Sequence, residues 1–281
     1  MEMPLPRGLK QTVCGLEILL FSVLSPYVSI SFVTLFCLSR NVFLFDFHFN
    51  NNNEVNMSNL GNRRVTLSSR RIRGLYDHLS PVYDHLTRFE SGAEKRALKI
   101  ASVKSGCIVL EVGFGTGRIL LELAKRTGNQ GKAYGIDVST KMVEKTRRII
   151  KKHKLSERVG LSLGDARNLP YRNEMFDLVF NSHMLDLIDT PLISDVLLEF
   201  KRVLKLGGRM VLVNLSKGNA WNSRIKAYEW VYGRWPSLLG GCRPILMKSA
   251  VENLRFERVG REFIMAGHIM PIEILWGDKG L

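Results

Sequence analysis

From Cys107 onward, short apolar runs alternate with longer stretches whose apolar residues recur every three or four positions. The short runs are "CIVLEV" (107–112), "AYGIDV" (133–138), "VGLSLG" (159–164), "MFDLVFNS" (175–182) and "RMVLVNLS" (209–216), and each predicts a β-strand. Between them, the stretch after Ser139 places Met142, Val143, Thr146, Ile149 and Ile150 on one helical face, and the stretch near Asp195 does the same with Leu197, Phe200 and Leu204. Strands alternating with amphipathic helices predict an α/β fold in which a parallel sheet is covered by helices.

The N-terminus has a different pattern. "ILLFSVLSPYVSISFVTLFCL" (Ile18 to Leu38) carries no charge and is long enough to cross a bilayer, for which about 20 residues suffice. It is a transmembrane candidate, weakened by Pro26 and by its serines and threonine. The asparagine tract at Asn50 to Asn53 reads as an unstructured linker. A signal peptide fits less well, because no small-residue cleavage site follows the apolar run. Two readings stay open: a membrane anchor, or an incidental extension of a working protein that begins at Met57. With an anchor, Arg63, Arg64, Arg70, Arg71 and Arg73 would hold the C-terminal side in the cytoplasm. The expected organisation is an N-terminal extension over 1–56, a helical cap over 57–105 and a ligand-binding domain over 106–281, with an insertion at 217–246.

The chain has 281 residues, enough for one sizeable core and an appendage. Its four cysteines, Cys14, Cys37, Cys107 and Cys242, lack the spacing of a zinc site or a disulfide framework, so no metal is expected and a reducing compartment, the cytoplasm, fits best. A formal charge of +15 favours an anionic partner, which could be nucleic acid, a phospholipid surface or an acidic substrate. Much of that charge sits in "NRRVTLSSRRIR" (62–73) and "KMVEKTRRIIKKHK" (141–154), and for the second a solvated helix face explains it.

"VLEVGFGTGRILLELA" (109–124) joins a strand to a helix through Gly113, Gly115 and Gly117. Such a turn puts a ligand at the carboxyl edge of the sheet, against a helix N-terminus. A dinucleotide fingerprint would need glycine where Arg118 stands, and a phosphate loop would need a Gly-Lys-Ser/Thr ending, so both readings weaken. What remains is Glu/Asp-x-Gly-x-Gly-x-Gly, beginning at Glu111.

With these residues the chain resembles the class I S-adenosylmethionine-dependent methyltransferases. "GIDVS" supplies Asp137 at a strand tip, "GDARNLPY" supplies Asp165 and Ala166 after the next strand, and "FDLVFNSHML" and "LLEFKRVLKLGGRMVLVNL" look like the fourth and fifth strands. The resemblance implies a three-layer Rossmann-like methyltransferase fold: a mostly parallel seven-stranded sheet with an antiparallel last strand in the hairpin of "FERVGREFIM" and "PIEILWG". It implies S-adenosyl-L-methionine as cofactor, bound by Glu111, Gly113, Gly115, Thr116, Gly117, Asp137, Val138, Asp165, Ala166, Asn181 and Ser182. Asp137 would accept the ribose hydroxyls, Asp165 and Ala166 would hold the adenine, and Asn181 and Ser182 would line the methionine end. "YDHLSPVYDHL" (76–86), "GDARNLPYRNEMFDLV" and "RVLKLGGRMVLV" are similar to the ubiquinone and menaquinone methyltransferases. Leu206 departs from their usual proline, and "NSHMLDLI" does not reproduce their block after the fourth strand.

Methyl transfer from a sulfonium needs positioning more than functional groups. A phenol or amine acceptor still gains from a base, and the candidates are Tyr83, Asp84 and His183, with Arg243 as an anion holder. Each has a plain structural alternative as a cap, a turn residue or a satisfied core histidine. The insertion holds three of the four tryptophans beside basic residues, which suits a small or lipid-like, partly anionic acceptor or a membrane interface, and equally a packed lid. Residues 181–184 lack the Asn/Asp-Pro-Pro-Tyr/Phe block of enzymes that methylate amino groups of bases, which disfavours nucleic acid. An RNA methyltransferase and a non-catalytic cofactor-binding partner stay as rivals; no RNA-binding motif is appended.

Overall fold

The computed structural model describes residues 9–13, 16–25, 28–37, 43–47, 65, 71, 74, 77, 91–217, 223–266 and 270–280. The chain divides into two compact units, Met1–Leu60 and Gly61–Leu281. In the first, β1 (Leu9–Val13), β2 (Leu16–Ser25), β3 (Val28–Cys37) and β4 (Phe43–Phe47) form an antiparallel sheet in chain order. The apolar run from Ile18 thus lies in two paired strands, with Leu20 opposite Val33 and Ser25 opposite Val28, and not in one spanning helix. Its composition explains the difference: Val, Ile, Phe, Ser and Thr favour extended backbone, and Pro26 cannot donate within a helix. Among the described residues no helix is long and apolar enough to cross a membrane. The expected linker at Asn50–Asn53 and the boundary at Met57 lie outside the described residues.

The second unit begins its regular structure with α1 (Ser91–Ile100), followed by β5 (Ile108–Val112), α2 (Arg118–Arg126), β6 (Lys132–Asp137), α3 (Thr140–Lys152) and β7 (Val159–Leu163). Then come β8 (Phe176–Ser182), α4 (Thr190–Val203), β9 (Leu204–Leu215), α5 (Ser223–Arg234), α6 (Lys248–Asn253), β10 (Phe256–Ala266) and β11 (Met270–Lys279). The sheet order is β10-β11-β9-β8-β5-β6-β7. β5 to β9 pair in parallel, while β11 runs antiparallel between β9 and β10, as the sequence led us to expect.

Strand alternation divides the core into two layers. Val109, Leu178, Phe180, Val211 and Val213 face α1 and α2, burying Ala97, Leu98, Leu120 and Leu123. Leu110, Val112, Val179, Met210 and Leu212 face the other way, onto Val196, Leu197 and Phe200 of α4 and Val251 of α6. Met142, Val143, Thr146 and Ile150 of α3 are buried, with Ile149 only half-buried at the edge of that face, and Leu204 opens β9 rather than closing α4. The five parallel strands end at one edge, so every connection that leaves a carboxyl end meets its neighbours there.

A chain starting at Met57 retains every element from α1 to β11. It is expected to be soluble, to unfold in one transition and to bind S-adenosylhomocysteine as tightly as the full chain. Aggregation, or loss of binding in calorimetric titration, would place residues 1–56 inside the catalytic fold.

Candidate active site

At the carboxyl edge the turn after β5 is built from left-handed glycines. Gly117 has φ 77° and caps α2, and a Cβ there would collide with the Thr146 side chain, so helix α3 packs directly on the turn. Gly115 has φ 50° and a Cβ there would meet nothing within 4 Å, because its open side faces the cleft. The backbone of Gly115 is pinned from both ends. Its N–H donates to Asp137 Oδ2 at 2.8 Å, and its carbonyl accepts from Thr146 Oγ1 at 3.0 Å. Asp137 Oδ1 accepts from the Ser139 N–H at 2.9 Å. Ser139 in turn caps α3, accepting from Met142 N at 3.2 Å, and donates from Oγ to Asp77 at 2.5 Å.

Three carboxylates gather behind this turn. Glu111, one residue before the end of β5, is 2% exposed and its Oε2 has no hydrogen-bond partner among the described residues. Burial, followed by the charges of Glu94 and Asp137, holds its carboxyl well above the usual range, against a weaker pull from Arg118. Glu94, on the buried face of α1, pairs with Arg118 at the first turn of α2, yet burial still raises its carboxyl. Burial also raises Asp137, opposed by the N–H groups of Ser139, Gly115 and Val138. From β8, Asn181 donates its amide to the Val112 carbonyl at 2.7 Å, while its Oδ1 and the Ser182 hydroxyl lack partners among the described residues.

Beyond Ser182 the chain turns sharply. His183 takes φ 53°, a left-handed conformation unusual for a residue with a side chain, and its N–H donates to the Val213 carbonyl at 2.8 Å. A 3-10 turn at Leu185–Leu187 brings Asp186 beneath the ring, with Nδ1 to Oδ2 at 3.1 Å. The same Oδ2 accepts from the Leu215 N–H at 3.1 Å, and Asp186 is completely buried. With Asp186 ionised, Nδ1–H donates to the carboxylate and Nε2 is the basic nitrogen; burial raises the Asp186 carboxyl, opposed by His183 and the Leu215 N–H. His183 lines the cleft together with Glu94, Glu111, Gly113, Gly115 and Ser182.

The structure therefore brings Glu111, Gly113, Gly115, Thr116, Gly117, Asp137, Asn181, Ser182 and His183 to one edge. Val138 follows directly at the tip of β6, over one third exposed. Asp165 lies after β7, half-buried and bound by Arg167 through three guanidinium hydrogen bonds and the Arg167 N–H, with Ala166 buried beside it. Tyr83 and Asp84 lie outside the described residues; of the segment 76–86, Asp77 alone is described, and it reaches the N-terminus of α3. Sequence reasoning missed Asp186 and Glu94. The spacing of His183 and Asp186, three apart, was a signal for the first; Glu94 had none, because its partner Arg118 is distant in sequence.

These residues fit S-adenosyl-L-methionine. Glu111 offers an unpaired buried carboxylate oxygen to an ammonium group, Asp137 keeps a second lone pair on each oxygen for ribose hydroxyls, and the open side of Gly115 admits a ligand against the backbone.

Comparison with known proteins agrees. The family described as a methyltransferase domain matches residues 109–208. The ubiquinone/menaquinone biosynthesis C-methyltransferase UbiE of Geobacter sulfurreducens is 30% identical over 63% of this chain and 70% of its own length. The 2-phytyl-1,4-naphtoquinone methyltransferase of Nostoc punctiforme is 28% identical over 57% of this chain and 70% of its own. Among solved structures, a SAM-dependent methyltransferase from Aquifex aeolicus shares the fold at a TM-score of 0.53 and 22% identity, covering 72% of this chain and 97% of its own. With the glycine turn, the sheet order and these relatives in agreement, the chain belongs to the class I S-adenosylmethionine-dependent methyltransferases and is an enzyme of that family.

Proposed function

We propose that this enzyme methylates a small hydroxylated aromatic acceptor of the quinol type, with His183 as general base and Asp186 as the group that orients it. The observation that carries this reading is the buried His183–Asp186 pair, whose histidine is among the residues that line the cleft with Glu111 and the glycine turn. The relatives named for quinone biosynthesis support the acceptor class.

Bound S-adenosylmethionine supplies a methyl group already activated on a sulfonium. His183 Nε2 takes the proton of the acceptor's hydroxyl, and the oxygen's electron density moves into the ring. The ring carbon so enriched would accept the methyl group that the cofactor supplies, with the electron pair of the carbon–sulfur bond remaining on sulfur. The displaced hydrogen on that ring carbon leaves as a proton to solvent, which restores aromaticity. Asp186 stabilises the imidazolium and holds its ring plane. In this reading Glu111 holds the cofactor's ammonium, Asn181 and Ser182 line its methionine end, and Asp137 takes the ribose. A lipid-like tail on the acceptor suits the aromatic pair of Trp230 on α5 and Trp235 just after it, which pack edge-on at 5.8 Å, and the basic chain suits collection of such an acceptor from a membrane surface.

His183→Gln is expected to lower the methylation rate of a short-chain naphthoquinol by about 10²–10⁴-fold, the usual contribution of a general base, with S-adenosylhomocysteine affinity unchanged. Asp186→Asn should lower the rate likewise, by presenting the wrong tautomer. A rate that survives both substitutions would exclude the dyad.

The Glu111 carboxyl yields a pH prediction. Its folded-state pKa lies above the unfolded value of 4.5, so the folded chain keeps a proton that the unfolded chain has lost, and ionising Glu111 costs stability increasingly as pH rises from 4.5. Glu111→Gln should therefore raise the Tm of the cofactor-free protein more at pH 8 than at pH 5. It should also weaken S-adenosylhomocysteine binding by about tenfold or more, the worth of one charge-assisted hydrogen bond. Calorimetry and thermal melts at the two pH values test both halves.

Asp137→Ala removes the acceptor for two backbone N–H groups, those of Gly115 and Ser139, and is expected to cost about 1–3 kcal/mol for each donor left buried. Loss of cofactor binding should accordingly come with a lowered Tm, read by differential scanning calorimetry. Gly115→Val should abolish binding through the cleft it fills.

A further inference from the structure

The amino edge of the sheet, at the far end of the strands from the cleft, holds a cavity of about 300 Å³. Strands β5, β8 and β9 start there, β11 ends there, β10 starts beside it, and the loop from α1 to β5 closes one side. Its volume lies at the lower end of the range for small-molecule sites, about 300–1,000 Å³. It shares no lining residue with the cleft. The backbone around it is irregular. Among the described residues the main sheet breaks register twice, and both breaks border this cavity. The pairing on β9 jumps from Leu204 to Arg209 while β8 advances only from Phe176 to Leu178, so 205–208 bulge out of the ladder. The pairing on β10 moves three residues, from Glu257 to Gly260, against two on β11, which inserts one extra residue in the stretch that holds Arg258. Ser102 and Arg258, which both line the cavity, take left-handed backbone at φ 49°, costly for residues with side chains. Bulges and backbone outliers of this kind recur beside functional sites.

The two breaks have a common product: they set two arginines of the cavity on one carboxylate. Asp278, 2% exposed, accepts from Arg209 Nε at 2.7 Å and Nη2 at 3.0 Å, and pairs with Arg258 Nε at 2.8 Å. Arg209 is fixed further by Nη1, which donates to the Ile100 carbonyl at 2.9 Å. One carboxylate thus stands against two guanidinium groups and leaves a positive excess at the wall. The Arg258 side chain is 72% exposed, and its two terminal nitrogens carry four N–H donors besides the Nε of that pair. Lys104, exposed, adds a third cation to the lining. The other acid of the cavity, Asp177, is already met by Lys205 Nζ and by the Ile108 N–H, each at 2.7 Å. Val109 and Leu178 supply an apolar part of the lining, with the half-buried thiol of Cys107 beside them.

We infer that this cavity is a second ligand site, separate from the methyl-transfer edge, and that it takes a compact organic anion: a phosphate or carboxylate head on an apolar body the size of one aromatic ring. Guanidinium groups held at a fixed wall suit a head with two or three oxygens, which accepts several N–H donors at once. The apolar lining suits the body, and the volume suits a molecule of that size. A neutral alcohol of the same shape keeps the apolar contact and loses the charge. The inference is independent of the acceptor class and of the base proposed above.

The test reads binding and its position, with no assay of methylation. Full-length protein saturated with S-adenosylhomocysteine is titrated by calorimetry with phenyl phosphate, benzoate and benzyl alcohol. One of the two anions should bind at least about tenfold more tightly than the alcohol, the yield of a charge-assisted hydrogen bond, and the tighter one identifies the head group. Arg258→Gln and Lys104→Gln, both at exposed positions, should each weaken that anion by about two- to fivefold, the worth of an exposed charge pair. The double variant should bring it close to the alcohol, with S-adenosylhomocysteine affinity unchanged. Saturation with the anion should also slow alkylation of Cys107 by iodoacetamide, read peptide by peptide in mass spectrometry. Equal affinity for anions and alcohol, or no binding of any of the three, overturns the inference. So does an anion preference that survives in the double variant, or alkylation of Cys107 at the same rate in the loaded protein. Should Cys107 not react in the free protein, the variants decide the matter, and should Arg258→Gln fail to fold, Lys104→Gln and the wild-type comparison decide it.

Discussion

The site depends on one carboxylate. Asp137 accepts from the Gly115 N–H and from the Ser139 N–H, and by doing so fastens the turn after β5 to the tip of β6 and to the first turn of α3. Neither β5 nor β6 could shape the cleft alone, because the turn between β5 and α2 passes through three left-handed glycines, with Phe114 and Thr116 buried between them. Thr146 completes the clasp from the other side, packing on Gly117 and donating to the Gly115 carbonyl. The result is a turn that stays open on one face only, the face where a Cβ on Gly115 would meet nothing.

Around that turn the electrostatics run against the molecule as a whole. The chain carries a formal charge of +15, yet Glu94, Glu111 and Asp137 converge behind the cleft with Arg118 as the cation that offsets them. Burial raises all three carboxyls, so their desolvation is only partly offset by Arg118 and the edge suits a cationic guest.

Much of this architecture is legible in the sequence, and the reasons are physical. Parallel strands buried on both faces read as nearly unbroken apolar runs, which is why β5, β6 and β8 stand out; Asp137 and Glu111 stand out because carboxylates at the ends of such runs have no packing reason to be there. The N-terminal run misleads because twenty uncharged residues look alike to a bilayer and to a sheet, and only its β-branched and aromatic content favours the strands β2 and β3. Asp186 escapes because its meeting with His183 needs a left-handed backbone at residue 183, which no periodicity announces. Arg243 could be named as a cation near the site, but its burial is a property of the fold.

The backbone at His183 has one more consequence. A side chain held at φ 53° carries conformational strain that glycine would remove and asparagine would lessen, so residue 183 is a point where the chain gives up folding free energy to keep an imidazole in place. Laboratory evolution for heat resistance, screened on folding alone, should drift toward glycine or asparagine at this position. On the proposed reading of His183 as base, such proteins gain stability at the expense of turnover, and stability is raised without loss only by substitutions elsewhere.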